Sequence, residues 1–459
     1  MTDQTTDPAP DRVSEQAARH LRALLASEQV DARVPSLVAG LVRDGALVWS
    51  DAHGRRTGDG PPGVDTQYRI GSITKTMTAV LVLQLRDEGL LDLGDRLDEH
   101  LPGVGYGDRT LRHLLSHASG MQSEPAGPWW ERSPGGSFEE LAAAVDDSAA
   151  VFAPGATHHY TNLAYGLLGE VVARLRGGTW WDSVRSRILE PLGMARTSYL
   201  PEAPHATGYS VHHFANTLTE EPAHDTGAMA PAGQVWSTVT DLATFACFLL
   251  DGHPAVLDVS TLREMATPQS GTLTGGLSGG YGLGLRLLAG GAGTVSGHTG
   301  SMPGFLAALF VDPVRRTGAV CLANGTTGLR CEGLPVDLLD TLERQEPTVV
   351  PAWVPSDRLP PGVEEVLGVW HWGNTAYGFC WDGTEVTAGA LGGTPTLRFR
   401  PREDGTFLGT AGYHHGETLR VVRGGDGALT HLFCATFVYT RTPYDPRAPI
   451  PGGVPARPE

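Results

Sequence analysis

Tyr68-Arg69-Ile70-Gly71-Ser72-Ile73-Thr74-Lys75-Thr76 contains the only lysine in a chain of 459 residues; the other 33 of its 34 basic side chains are arginine. Arginine stays protonated in proteins, whereas a desolvated lysine drops towards neutral pH and can serve as a base. The exception therefore has a chemical reason, and it stands three residues after a serine. From Ser72 to Glu88 the apolar residues Met77, Val80, Leu81, Val82, Leu83 and Leu85 cover nearly all sides, and Gly89 stands where a helix stop is expected. The segment reads as a buried central helix. At its start Ser72 and Lys75, at i and i+3, share one face with Cβ atoms about 5–6 Å apart. The orphan amides and positive dipole end lie beside the hydroxyl, where an oxyanion is stabilised.

Ser-x-x-Lys alone is a common chance pattern, so context decides. Tyr160-Thr161-Asn162 follows a Pro154-Gly155 turn and precedes an apolar helical run, Leu163 to Leu175, which puts it on a loop at a helix mouth. His298-Thr299-Gly300 follows a short strand-like run and precedes Gly304 to Val311, another strand. The ordered set resembles the serine β-lactamase and penicillin-binding-protein superfamily, in particular its class C, peptidase S12 and esterase-like branch. Three stretches strengthen the resemblance: Leu111-Arg112-His113-Leu114-Leu115-Ser116-His117-Ala118-Ser119-Gly120-Met121, Glu190-Pro191-Leu192-Gly193-Met194, and Pro231 to Thr238. It covers about residues 10 to 345.

The resemblance implies a mechanism. Ser72 attacks an ester, amide or thioester carbonyl, and Lys75 and Tyr160 share the base role. Tyr160 then protonates the leaving group, Asn162 holds Lys75 or the substrate amide, Thr299 and Gly300 belong to the substrate-binding strand, and the amides of Ser72 and Ser301 hold the oxyanion. His298 is the departure, counted with the catalytic set. Many relatives have lysine there, a permanent cation for the substrate carboxylate, whereas an unperturbed imidazole is mostly neutral at pH 7. Efficient penicillin hydrolysis is therefore not expected. The His-x-Gly form resembles esterases, D-amino-acid-directed peptidases and stand-alone thioesterases of this superfamily. The last tend to carry a C-terminal β-barrel and cyclise nonribosomal peptides. A sensor that acylates without turning over is the non-enzymatic alternative.

Strands at both ends with helices between predict an α+β fold: an antiparallel sheet flanked by helices, with a helical insert over about Leu90 to Leu250. A helix near Asp11 to Glu28 precedes a hairpin, Ser36 to Arg43 and Ala46 to Asp51, closed by Asp44-Gly45. Strands are expected at Tyr281 to Leu288, Gly304 to Val311 and Thr317 to Ala323, then a helix near Val336 to Arg344. The domains are expected at 1–10 (disordered tail), 11–345 (hydrolase), 346–362 (a linker with five prolines) and 363–459 (β-rich). In the last, Asp382-Gly383, Asp404-Gly405 and Asp426-Gly427 recur every 22 residues, the signature of a meander closing into a small, lipocalin-like barrel. Its interior is either a packed core or a binding cup.

A net charge of −17 argues against nucleic acid and anionic membranes, leaving a small molecule or peptide as the partner, and no cofactor is expected. No apolar run reaches a spanning length. The polar Met1 to Pro10 and five unpaired-looking cysteines, Cys247, Cys321, Cys331, Cys380 and Cys434, suggest a reduced, cytoplasmic protein. Gly276-Leu277-Ser278-Gly279-Gly280 fits G-x-S-x-G but lacks the strand and helix of a nucleophile elbow. The pairs His158-His159, His212-His213 and His414-His415 lack a third ligand at metal spacing, so no metal is expected. His113 and His117 read as structural residues four apart on a helix. Trp129 and Trp130 either line an acyl pocket or cover core.

Overall fold

The computed structural model describes residues 12–55, 61–271, 280–349, 352–353, 355 and 358–443. Chain contacts divide it into two units, Met1–Val349 and Val350–Glu459. The expected tail and most of the G-x-S-x-G segment lie outside the described residues, as does part of the proline-rich stretch.

The first unit is built on an eight-stranded sheet. From edge to edge its strands are Ala46–Gly54, Ser36–Arg43, Thr317–Ala323, Phe305–Asp312, Thr294–Met302, Arg286–Ala289, Gly280–Tyr281 and Ser270–Gly271, so strands from both ends of the unit meet at its centre. All its pairings are antiparallel. Asp44 (φ 48°) and Gly45 (φ 80°) close the first hairpin with two left-handed residues, the geometry that matches strand twist. Alternate side chains supply two cores. Val38, Val42, Ala307, Leu309 and Val311 face the helices Thr74–Asp87 and Val239–Asp251, while Leu37, Ala39, Leu41, Leu306, Ala308 and Phe310 face Glu15–Ala32 and Gly333–Gln345. Burial on both faces explains why the central strands read as continuous apolar runs.

The central helix begins differently from the expectation. Gly71–Ile73 is a 3₁₀ turn, and the α-helix runs Thr74–Asp87 with Thr74 to Leu85 all buried. The expected strand Tyr281 to Leu288 is also broken, pairing only at Gly280–Tyr281 and Arg286–Ala289. Between them Gly284 (φ 76°) receives a hydrogen bond from Thr76 Oγ1 and donates its amide to Leu115 O. The chain leaves the sheet to seat the helix N-terminus.

In the second unit, eight antiparallel strands from Gly368–Trp372 to Phe437–Tyr439 pair in sequence order, and reciprocal His371 and Thr440 backbone bonds join last to first. Each Asp-Gly turn closes at the same end, because 22 residues span two strands; Asp382, Asp404 and Asp426 accept the amides of Thr384, Thr406 and Ala428. Trp370, Phe379, Phe399, Phe407, Leu419, Leu432 and Tyr439 fill the interior as a packed core. One sequence expectation needs correcting. His414 does have further ligand-type neighbours, Glu417 and Cys434, the latter brought in by strand pairing that spacing cannot reveal. No helix among the described residues is long and apolar enough to cross a membrane.

Backbone approach at the site makes a sharp contrast testable. A Cβ on Gly300 would lie 1.9 Å from Ile70 O, whereas one on Gly89 (φ 74°) meets nothing within 4 Å. Gly89→Ala is expected to cost only about 1–2 kcal/mol of left-handed strain. Gly300→Ala must push two backbones apart and should cost about 3 kcal/mol or more, as urea unfolding of both variants would measure.

Candidate active site

Three chain segments converge on Ser72. The 3₁₀ turn holds it half-buried at the mouth of the central helix. One turn on, Lys75 is fully buried, and its Nζ donates to Ser72 Oγ (2.9 Å) and Ala232 O (2.7 Å). Both partners are neutral. Burial pushes the Lys75 amine down from 10.5 to about 7, with Glu124 and Glu131 opposing weakly from a distance. Half of the amines are then free bases at neutral pH, in contact with the hydroxyl they would deprotonate.

Tyr160 closes the second side. Its hydroxyl hydrogen-bonds Ser72, and burial holds it well above the usual phenol range, so it remains a phenol. Lys75 Nζ lies 5.1 Å from the Tyr160 ring centroid. The expected sharing of the base role between Lys75 and Tyr160 meets two opposite shifts, the amine lowered and the phenol raised. Thr161 caps the helix Asn162–Arg176 through its hydroxyl to Ala164 N. Asn162 Nδ2 donates to Glu124 Oε1 (2.7 Å), whose other oxygen takes Trp130 Nε1 (2.7 Å). Lys75 Nζ is held by Ser72 Oγ and Ala232 O, while the Asn162 amide is turned to Glu124.

The strand Thr294–Met302 forms the third side. A Cβ on Gly71 (φ 52°) would sit 2.6 Å from Ser301 N, so the Ser301 backbone packs closely against the turn that carries Ser72. Thr299 lies half-buried beside them, its Oγ1 3.5 Å from Arg286 Nη1. His298 is buried, with Nδ1 against Thr299 O (2.5 Å) and Nε2 against Tyr281 Oη (2.9 Å). With Nδ1–H donating to that carbonyl, Nε2 accepts from the tyrosine. Burial and the nearby Lys75 push His298 down to about 3, so it is a neutral ring with both nitrogens occupied. It orients the site and offers no cation.

Sequence reasoning missed four neighbours. Arg286 supplies the cation that His298 does not, half-exposed beside Thr299 and ion-paired to Glu332 (2.7 Å). Tyr281 links His298 to the site, and Glu124 anchors Asn162. His117, taken as a helix-packing residue, lies beyond the helix Leu111–Leu115 at φ 55°. Its carbonyl takes His159 N (2.8 Å) and its Nδ1 takes Thr161 N (3.2 Å), bracketing Tyr160, whose ring lies 4.1 Å from its own. Only the His-Ala-Ser-Gly stretch hinted at this, since the placement depends on a left-handed turn. The tryptophans divide: Trp130 is buried near Gly233 and Gly71, and Trp129 is 60% exposed.

Residues 16–339 match the Beta-lactamase family, and residues 359–441 match a domain of unknown function, DUF7586. The chain is 28% identical over 279 residues to Beta-lactamase-like protein 2 of Dictyostelium discoideum, covering 57% of this chain and spanning half the length of that relative. Among solved structures it is similar to a D-stereospecific amidohydrolase from Streptomyces sp., with TM-score 0.59, 29% identity and coverage of 72% of this chain and 98% of that one. It is also similar to SurE with D-Leu, with TM-score 0.58, 26% identity and coverage of 94% and 100%.

The buried amine has a stability signature. The unfolded chain takes up a proton that the folded chain resists, so stability falls as pH drops from about 10.5 to about 7. Keeping the amine costs about 4 kcal/mol at pH 7, while deleting it leaves the Ala232 carbonyl unpaired at about 1–3 kcal/mol. Lys75→Met is therefore expected to be inert yet more stable than wild type by roughly 1–3 kcal/mol at pH 7, with the difference shrinking as pH rises and reversed above about 10.5. Denaturant unfolding at several pH values reads this. In the active protein kcat/KM should fall with unit slope below pH about 7, as Lys75 becomes protonated.

Proposed function

The chain belongs to the Beta-lactamase family, and on that premise we propose that it is a serine hydrolase acting through an acyl-Ser72 intermediate on amide, peptide or ester bonds, selecting a D-configured residue on the acyl side. The lone lysine carries the reading: a buried amine, lowered to about 7, in hydrogen-bond contact with Ser72 Oγ and no carboxylate. Lys75 takes the Ser72 proton as Oγ bonds to the carbonyl carbon, and the amides of Ser72 and Ser301 hold the resulting oxyanion. Tyr160, hydrogen-bonded to Ser72, passes a proton to the leaving nitrogen or oxygen and is replenished from Lys75. Water then attacks the ester, with its proton returning along the same path, and Ser72 is released.

The D-preference is supported by the likeness to the D-stereospecific amidohydrolase and to SurE with D-Leu. Arg286, rather than His298, is the group placed to meet an anionic substrate end, after displacing Glu332. A second reading, in which an amine of the same peptide resolves the acyl-enzyme and gives a ring, rests on the resemblance to stand-alone thioesterases that carry a C-terminal β-barrel, as the second unit does here.

Four substrates separate the readings: D- and L-phenylalanine p-nitroanilide, a chromogenic cephalosporin, and a peptidyl thioester ending in a D-residue. Turnover of the D-anilide above its enantiomer, slow cephalosporin turnover, and loss of both in Ser72→Ala are expected. Faster cephalosporin than anilide hydrolysis contradicts the assignment. Cyclic product in excess of hydrolysed thioester selects the second reading, and a lasting acyl adduct by mass spectrometry without turnover would mark a sensor.

A further inference from the structure

The closing end of the barrel contains a group of side chains that the hydrolase chemistry does not use. His414, Glu417 and Cys434 bring Nδ1, a carboxylate oxygen and Sγ within 4.8 Å of one another. His414 is 1% and Cys434 0% exposed. Glu417 Oε2 lies 2.7 Å from His414 Nδ1 and 3.8 Å from Cys434 Sγ. A tetrahedral zinc ion with ligands at about 2.0–2.3 Å spaces them about 3.3–3.7 Å apart, so the triangle is one face of such a site, needing only the Glu417 carboxylate to swing outward. That side chain is 40% exposed and free to do so.

The surroundings suit a bound cation. His414 Nε2 meets Tyr439 Oη at 3.1 Å, the outer contact that fixes the ring orientation of a metal-bound imidazole. Phe437 stands edge-on to the imidazole at 4.8 Å and Phe399 lies at 6.1 Å, giving an apolar wall on the inner side. The loop is built to hold His414 and Glu417 together: Glu417 N donates to His414 O, Gly409 N to Glu417 O and Gly416 N to Gly409 O.

We propose that the barrel binds one divalent transition-metal ion of the zinc class through His414 Nδ1, Glu417 and Cys434 Sγ, with water as the fourth ligand on the open, Glu417 side. Binding releases the Cys434 S–H proton to solvent and forms the metal–thiolate bond. The imidazole binds the ion through the Nδ1 lone pair, in the tautomer whose proton sits on Nε2 and is donated to Tyr439 Oη. No electron transfer is involved.

Cobalt(II) is the probe, titrated into tag-free, full-length protein stripped with chelator and kept reduced. One ion per chain is expected, with a sulfur-to-cobalt charge-transfer band and the strong visible absorption of four-coordinate cobalt. Zinc should bleach both. Cys434→Ser should lose the charge-transfer band and Cys380→Ser keep it. Glu417→Gln, at a half-exposed position that leaves the barrel core intact, should bind at least about tenfold more weakly, and Tyr439→Phe about 10–100-fold. Absence of saturable uptake, a band that survives Cys434→Ser, or unchanged affinity in Glu417→Gln overturns the proposal and leaves a hydrogen-bonded thiol, carboxylate and imidazole.

Discussion

A primary amine sealed among neutral acceptors is the constraint around which the first unit is organised. Among the described residues Lys75 Nζ meets Ser72 Oγ and Ala232 O and no carboxylate. Folding must absorb its desolvation, a sizeable fraction of the roughly 5–15 kcal/mol that holds a domain together. The two cores on either face of the sheet, and a central helix buried from Thr74 to Leu85, supply the offset. The close approach of Gly300 to Ile70 O and of Gly71 to Ser301 N packs the sheet directly against the turn that leads into this helix.

Where a cation sits matters as much as where a base does. The neutral His298, tied to Thr299 O and Tyr281, leaves the substrate strand without charge, and Arg286 restores it from the adjacent strand. Its guanidinium is already paired with Glu332, so this corner of the site carries a compensated pair of charges.

Much of this was legible before any coordinates. The lone lysine after Ser72, the all-round apolar helix and the Asp44-Gly45 hairpin are local signals with local causes. The meander in the second unit was readable for a similar reason, since a turn every two strands leaves a period. What escaped depends on contacts distant in sequence. The Gly282 to Leu285 break was hidden because Thr76 and Leu115 claim Gly284. His117 was expected on a helix but lies past its end in a left-handed turn, and Arg286 and Glu332 become neighbours only when their segments are packed together. His414 looked partnerless because its thiol neighbour arrives from a strand twenty residues on.

The barrel's two rims are unequal. One is stitched by three near-identical Asp-Gly turns, which fix the register of each hairpin; the other carries the six-residue connections Leu391–Thr396 and Gly412–Glu417. A strand register set from one rim does not have to be set again at the other. The second rim is thus free to drift in length and composition over generations while the sheet stays in register, so that a barrel of this kind can exchange one specialisation for another without refolding, and diversity among its descendants should be concentrated on a single edge.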